Sequence, residues 1–235
     1  MKANPELLVI IPVFNEEEHI SDLIRNWEPV FAQTGTPYQI IVIDDGSNDH
    51  SMALLRAMQV KDPHLVVYSQ SNAGHGPAIL KGYRIALAAS WVFQIDGDNQ
   101  YDTAAFRTLW ESRNIYDFLL AERMEKNASL SRRCVSRLSR LIVHLLYGRQ
   151  VRDVNSPYRL MRSAALGEAL DKIPPGSFAP NILLTAWFAG KKKRIFTTSV
   201  NRRKTDNARR SKMNRYFLSG SLQAACQTIL FRFRL

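Results

Sequence analysis

The sequence has almost no cysteine: its two thiols, Cys134 and Cys226, stand far apart, with no Cys or His near either at metal-ligand spacing. They make neither a disulfide framework nor a zinc site, and read as reduced thiols of a cytosolic protein. Also lacking is an apolar run of the roughly 18 residues that a membrane span requires. The best candidate, 217–231, is short and carries Gln223, Gln227 and several hydroxyls. The chain enters its first apolar run by Leu7 without the basic region, long apolar core and cleavage site of a signal peptide, so neither a leader nor a span is expected. No internal repeat or low-complexity tract is visible. Acidic residues become scarce after residue 120.

What is present suits a globular protein. With 235 residues, 46% apolar and 10% aromatic, the chain can bury a real core as one domain with an appendage. Its charge is divided unevenly. Residues 1–120 hold 8 Lys and Arg against 15 Asp and Glu, a net of −7; residues 121–235 hold 24 against 6, a net of +18, which together make +11. A basic half joined to an acidic one points to an anionic partner: nucleic acid, anionic lipid or a phosphorylated substrate.

Apolar runs rich in Val and Ile, at Leu7–Val13 (stopped by Pro12), Tyr38–Ile43, Leu65–Tyr68 and Trp91–Ile95, predict buried strands. Helical periodicity follows each of the first three. Ile20, Leu23, Ile24 and Trp27 recur behind Asn15, which offers an N-cap, and Glu16, Glu17 and Glu18 load a first turn. Met52 to Met58 forms a second helix, and a third starts after Asn72-Ala73-Gly74-His75-Gly76-Pro77. This alternation predicts βαβ units on a mostly parallel sheet. Later elements are a helix capped by Thr103, a strand over Tyr116–Ala121, an amphipathic helix over Ser129–Tyr147, a loop from Asp153 leading into a strand at Met161, a helix over Phe178–Ala189 and a strand or hairpin arm over Lys191–Val200. Asn201–Arg215 reads as a mobile basic loop.

Three loops carry the chemistry, each directly after an apolar strand: Pro12-Val13-Phe14-Asn15-Glu16, Asp44-Asp45-Gly46-Ser47, and Asp96-Gly97-Asp98-Asn99-Gln100. Strand carboxyl ends are where open α/β sheets bind ligands. Asp96 and Asp98 repel unless a cation lies between them, and hard oxygen donors suit Mg²⁺ or Mn²⁺. Gly97 removes a side chain where a ligand approaches the backbone. The stretch Asn72–Pro77 reads equally as backbone donors for an anion at a helix N-terminus or as a plain glycine turn.

These loops resemble those of the family-two glycosyltransferases of GT-A fold, and most closely the dolichol-phosphate mannosyltransferase and polyprenyl-phosphate glycosyltransferase branch. Arg123, Asp153, Tyr158-Arg159-Leu160 and Ser211-Lys212 extend the likeness to about residue 215. Phe14 stands where the family usually has Tyr, and His75 where Lys is frequent.

The resemblance implies a GT-A domain over 1–215, with a nucleotide-sugar-binding half over 1–100 and an acceptor-binding half over 101–215, followed by a helical tail over 216–235. It implies that Pro12, Phe14, Glu16, Ile43 and Asp45 hold the nucleoside of a GDP- or UDP-linked sugar. Asp96, Gly97, Asp98 and Gln100 would meet the diphosphate and its metal, and Arg202 and Lys212 would fold over the donor. Arg123, with Arg132 or Arg133, would receive the acceptor phosphate, so Asp96, Asp98 and Arg123 are the expected catalytic set. The activity implied is inverting transfer to a polyprenyl or dolichyl phosphate, by a peripheral protein at the cytoplasmic face of the membrane.

A phosphate acceptor needs cations rather than a base, which suits the basic half. The Ser129–Tyr147 helix reads either as core-packed with a basic outer face or as lying on an anionic membrane surface. The alternative acceptor is a hydroxyl on a glycan or cell-surface polymer. That reaction needs a carboxylate base, for which Asp153 is the best candidate. No nucleic-acid-binding motif is recognisable, so no nucleic acid is expected as a partner. Nothing in the sequence sets an oligomeric state.

Overall fold

The computed structural model describes residues 5–124, 130–148, 151–203 and 215–234. Seven strands form one mixed sheet in the order β3-β2-β1-β4-β6-β5-β7. They are β1 (Leu7–Val13), β2 (Tyr38–Asp44), β3 (Leu65–Ser69), β4 (Trp91–Gln94), β5 (Phe118–Arg123), β6 (Arg159–Arg162) and β7 (Ile195–Val200). The block β3-β2-β1-β4 is parallel. β6 runs antiparallel to both β4 and β5, and β7 returns parallel to β5. The expected mostly parallel sheet with helices on both faces is therefore present, with one antiparallel strand at its centre.

Alternation along the strands sorts the core into two layers. Leu8, Ile10, Ile41, Ile43 and Val92 face α3 (His75–Ala86), α6 (Ser163–Leu170) and α7 (Pro180–Gly190). Leu7, Val9, Ile11, Ile40, Val42, Trp91 and Phe93 face α1 (Ile20–Ala32), α2 (Ser51–Lys61) and α4 (Ala104–Ser112). A two-residue period with both faces covered is the signature of a buried α/β sheet. In the second layer Trp27 stacks on Phe31 at 5.2 Å and meets Phe93, Phe106 and Tyr158 within 6.0 Å. This aromatic block lies behind the end of β4.

Pro12 does not stop β1, which runs on to Val13 in register with β2. The ladder with β4 ends at Ile10 opposite Gln94, so the missing N–H of Pro12 deprives no strand partner. Nor does α1 begin at Asn15. Its N-cap is His19, because Asn15 adopts a left-handed φ of 56° and is spent on the neighbouring loop.

α5 (Leu130–Tyr147) and α8 (Arg215–Phe231), the latter followed by a 3-10 turn at Arg232–Arg234, cover the α7 side. Val143 and Tyr147 of α5 and Ala224 and Phe231 of α8 join the core layer, and the Tyr147 hydroxyl donates to Thr228 O at 2.6 Å. No described helix is long and apolar enough to cross a membrane.

Candidate active site

The chain leaves β1 toward β2 and β3 on one side and returns to β4 on the other. The crevice at the carboxyl ends of β1 and β4 is thus a topological switch point, the usual ligand position in such sheets.

The first two strand-end loops are stitched together. Asn15 N donates to Ser47 Oγ at 3.0 Å, Asn48 N to Asn15 Oδ1 at 2.8 Å, Glu16 N to Ser51 Oγ at 2.8 Å and Glu17 N to Asp49 Oδ2 at 3.1 Å. His50 N returns to Glu17 Oε2 at 2.7 Å. That is why Asn15 and Glu17 are not helix caps: the β2 loop supplies their partners. Asn48, Ser51 and the partner of Ser47 escape a reading of the sequence because short polar side chains in a turn carry no pattern of their own.

Asp45 is almost wholly buried. Its Oδ1 accepts from Gln70 Nε2 at 2.7 Å and from Ala73 N at 2.9 Å, and its Oδ2 from Gly74 N at 2.8 Å. The anion that the 72–74 backbone holds is therefore the protein's own carboxylate, which ties the β2 end to the start of α3. Ile43 and Pro12 are buried as well, whereas the Phe14 ring stands at the mouth of the crevice, 43% exposed.

Asp96 and Asp98 stand at the end of β4. Asp96 Oδ1 is buried without a hydrogen-bond partner, and the His75 ring stands beside it, Nε2 at 3.7 Å. Asp98 Oδ1 accepts from Gln100 N at 3.3 Å. Burial first, and then the charge of Asp96, push the Asp98 carboxyl up to about 6 against the pull of Arg202 and Arg123. Two repelling carboxylates, one with an orphaned oxygen, fit a divalent cation. Among the described residues no group of three or more His, Cys, Asp or Glu converges, so other ligands would come from a diphosphate and water, as Mg²⁺ and Mn²⁺ sites commonly arrange. Gln100 meets Asp98 through its main-chain N–H, while its residue lines a small gap with Leu23, Trp27 and Tyr158.

The missing side chain of Gly97 serves packing. A Cβ there would lie 3.0 Å from Pro12 O and 3.2 Å from Val13 Cγ2, so the glycine lets the β4 loop close on β1.

Arg123 and Asp153, expected on separate duties, are paired. Nε and Nη2 of Arg123 donate to Asp153 Oδ2 and Oδ1 at 2.6 and 2.8 Å. Burial raises the Asp153 carboxyl, but the hydrogen bonds and charge of Arg123 outweigh it and hold it below the ordinary carboxylate value. Arg123 also hydrogen-bonds the Tyr101 side chain. A carboxylate saturated in this way is a poor base, which removes the best candidate for activating a hydroxyl acceptor.

Arg202 pairs with Tyr101 through an isolated bridge, Arg203 N donates to Gln100 O at 2.8 Å, and Arg203 Nη1 donates to Asn99 Oδ1 at 2.8 Å. The expected mobile loop is thus held over its first three residues, 201–203, against the Asp96–Gln100 turn. Lys212 lies outside the described residues, and Arg132 and Arg133 lie in α5 with side chains outside the description.

These groups border an open cleft of about 360 Å³, lined by the 73–77 turn, Asp96, Arg123, Asn155, Asn181 and the 176–180 loop with Phe178. Close packing defines one wall: a Cβ on Gly76 would lie 2.1 Å from Ser177 O. The sequence singles out Arg159 but gives it no role. Arg159 interrupts the apolar run Tyr158 to Met161, and a charge in a buried strand is rarely idle.

Residues 8–170 match glycosyl transferase family 2. An undecaprenyl-phosphate 4-deoxy-4-formamido-L-arabinose transferase of Pseudomonas aeruginosa is 31% identical over 175 residues, covering 73% of this chain and 51% of the relative. Its namesake from Pectobacterium carotovorum is 30% identical over 186 residues, covering 78% and 56%. The chain spans about half the length of these curated relatives. Among solved structures, glucosyl-3-phosphoglycerate synthase from Mycobacterium tuberculosis, in complex with phosphoglyceric acid, superposes with a TM-score of 0.68 at 18% identity, over 99% of this chain and 81% of that one. The same enzyme in complex with Mn²⁺, uridine diphosphate and glucosyl-3-phosphoglycerate gives 0.67 at 20% identity, over 98% and 81%. These neighbours share the fold.

Proposed function

We propose that this chain, which belongs to glycosyl transferase family 2, moves a sugar from a GDP- or UDP-linked donor to a polyprenyl or dolichyl phosphate at the cytoplasmic face of a membrane. The observation that carries the reading is the Arg123–Asp153 pair. It leaves a cleft with the Arg123 guanidinium in its wall and the best candidate base already spent. The names of the curated relatives, which act on undecaprenyl phosphate, support the same acceptor.

In this reading the nucleoside lies over the stitched loops after β1 and β2, with Phe14 against the base and Glu16 within reach of ribose or base. Asp96 and Asp98 would hold Mg²⁺ or Mn²⁺, which would supply neutralising charge for the diphosphate. Arg202 adds positive charge from the strand segment folded over Asp98. An acceptor phosphate oxygen attacks the anomeric carbon as the bond to the nucleoside diphosphate breaks. The bonding pair leaves with the diphosphate, the anomeric centre inverts, and no proton has to be removed.

A lipid acceptor also calls for a surface that meets the bilayer. Leu138, Leu141 and Leu145 lie at i, i+3 and i+7 of α5, each more than half exposed. On neighbouring α8 and its final turn, Leu222, Leu230 and Phe233 are exposed as well. Arg137, Arg232 and Arg234 accompany these stripes, a composition that suits an anionic bilayer surface.

The test is incubation with labelled nucleotide sugars, Mn²⁺ or Mg²⁺, and undecaprenyl phosphate. Label should move into an organic-extractable, acid-labile lipid. Transfer only to water-soluble hydroxyl acceptors would overturn the reading.

A further inference from the structure

Beneath the cleft lies a guanidinium whose hydrogen bonds all end on main-chain oxygens. Arg159 is fully buried on β6, directly across from Gln94 of β4. Its Nε donates to Ser156 O at 2.9 Å, its Nη2 turns to the same oxygen, and its Nη1 donates to Asn181 O at 3.0 Å. Buried cations normally carry a carboxylate partner, because an unpaired charge away from water is costly. Tyr83, Asp153 and Asp96 act on Arg159 through space, and Asp153 is already gripped by Arg123. Burial lowers the Arg159 pKa from the ordinary arginine value, yet a guanidinium remains a cation at neutral pH.

The groups that Arg159 holds are the cleft itself. Asn155 and Pro157, on either side of Ser156, line it, and so does Asn181. The Asn181 side chain is also buried; its Oδ1 accepts from the Tyr83 hydroxyl at 3.1 Å, and the oxygen of that hydroxyl lies against the Gln94 side-chain amide. The polar layer under the cleft therefore contains one full positive charge, and its member on α7 is a neutral amide.

We propose that Arg159 is a buried positioning charge that makes the cleft select a phosphate-bearing acceptor, and that Asn181 is the specificity-determining residue that leaves this charge without a carboxylate hydrogen-bonded to it. In a low-dielectric layer the field of a charge is poorly screened, so it reaches a phosphate one residue layer above. A neutral hydroxyl acceptor gains little from it. The inference rests on the anionic-acceptor reading above.

Two substitutions at one position isolate charge from shape. Asn181→Asp places a carboxylate in the layer at constant size, and Asn181→Ser removes the amide without adding charge. Farnesyl phosphate and farnesol serve as probes, titrated calorimetrically into the full chain with Mn²⁺ and whichever of UDP or GDP raises its melting temperature. Asn181→Asp should weaken farnesyl phosphate binding about tenfold or more and leave farnesol and nucleotide binding unchanged, while Asn181→Ser stays within about threefold. Arg159→Gln, which removes the charge but can still donate to a carbonyl, should behave like Asn181→Asp. Equal losses in both Asn181 variants, or wild-type binding in Asn181→Asp or Arg159→Gln, would overturn the proposal. A wild-type chain that binds farnesyl phosphate no better than farnesol would instead overturn the anionic-acceptor reading, and this inference with it.

Discussion

Arg123 holds Asp153 at three points: through Nε at 2.6 Å, through Nη2 at 2.8 Å and through its own main-chain N–H at 3.2 Å. The two residues lie on β5 and on the loop before β6, so the pair pins the cleft wall to the sheet. Asp153→Asn should retain transfer within about tenfold, since a structural carboxylate loses little chemistry when made neutral, whereas loss of a catalytic base costs about 10²–10⁴-fold. Steady-state transfer assays decide between the two.

The same pair has a pH signature. The folded pKa of Asp153 lies below its unfolded value, so its contribution to stability is fully present above the ordinary carboxylate pKa. It is lost as pH falls from about 4 toward the folded value. Urea unfolding between about pH 3 and 5 should show wild type losing this increment, and Asp153→Asn should lack that part of the slope.

Asp98 has the opposite sign. Its folded pKa, raised to about 6, means that ionised Asp98 opposes folding above that pH and ceases to do so when protonated. Without metal, Asp98→Asn should melt higher than wild type at pH 7–8, by up to about 2–3 kcal/mol, and the gain should vanish as pH falls toward 4. The variant should lose the stabilisation that Mn²⁺ plus nucleoside diphosphate gives wild type, and with it at least about 100-fold in transfer. Thermal melts at several pH values, with and without Mn²⁺, read both effects.

Asp45→Ala would strand the Gln70 amide and the Ala73 and Gly74 N–H groups in a part-buried loop. A cost of about 2–4 kcal/mol follows from leaving such donors unpaired, together with weaker nucleotide binding because the turn before α3 loosens. Calorimetric unfolding and nucleotide titration should move together. A variant as stable as wild type would show that water satisfies those donors.

On the outer face of α5, replacing Leu138, Leu141 and Leu145 together with Ser should reduce co-sedimentation with vesicles containing anionic lipid by about tenfold or more. Nucleotide-dependent melting shifts should stay as in wild type, because none of the three lines the cleft. Unchanged vesicle binding would assign the stripe to something other than a bilayer.

Much of this protein was legible in the order of its residues. Alternating apolar runs and helical periods determined the parallel sheet and put Asp96, Asp98 and Glu16 in loops at strand ends, because strand and helix periods are local properties. Folding alone could decide which loop partners which. Asn15, Glu16 and Glu17 look like a helix start until Ser47, Asp49 and Ser51 arrive from 32 to 35 residues away, and tertiary hydrogen bonds then override a weak capping preference. Arg123 and Asp153 looked like a phosphate ligand and a base. Placed side by side they form one ion pair in which the carboxylate is spent as a base, which no spacing in the chain announces. Asp96-Gly97-Asp98 was a plausible cation pair from sequence, but its buried, unpartnered oxygen and the tight seat of Gly97 against Pro12 exist only in three dimensions. Burial and partnership set the chemistry of a charged side chain, and both are properties of the packed fold.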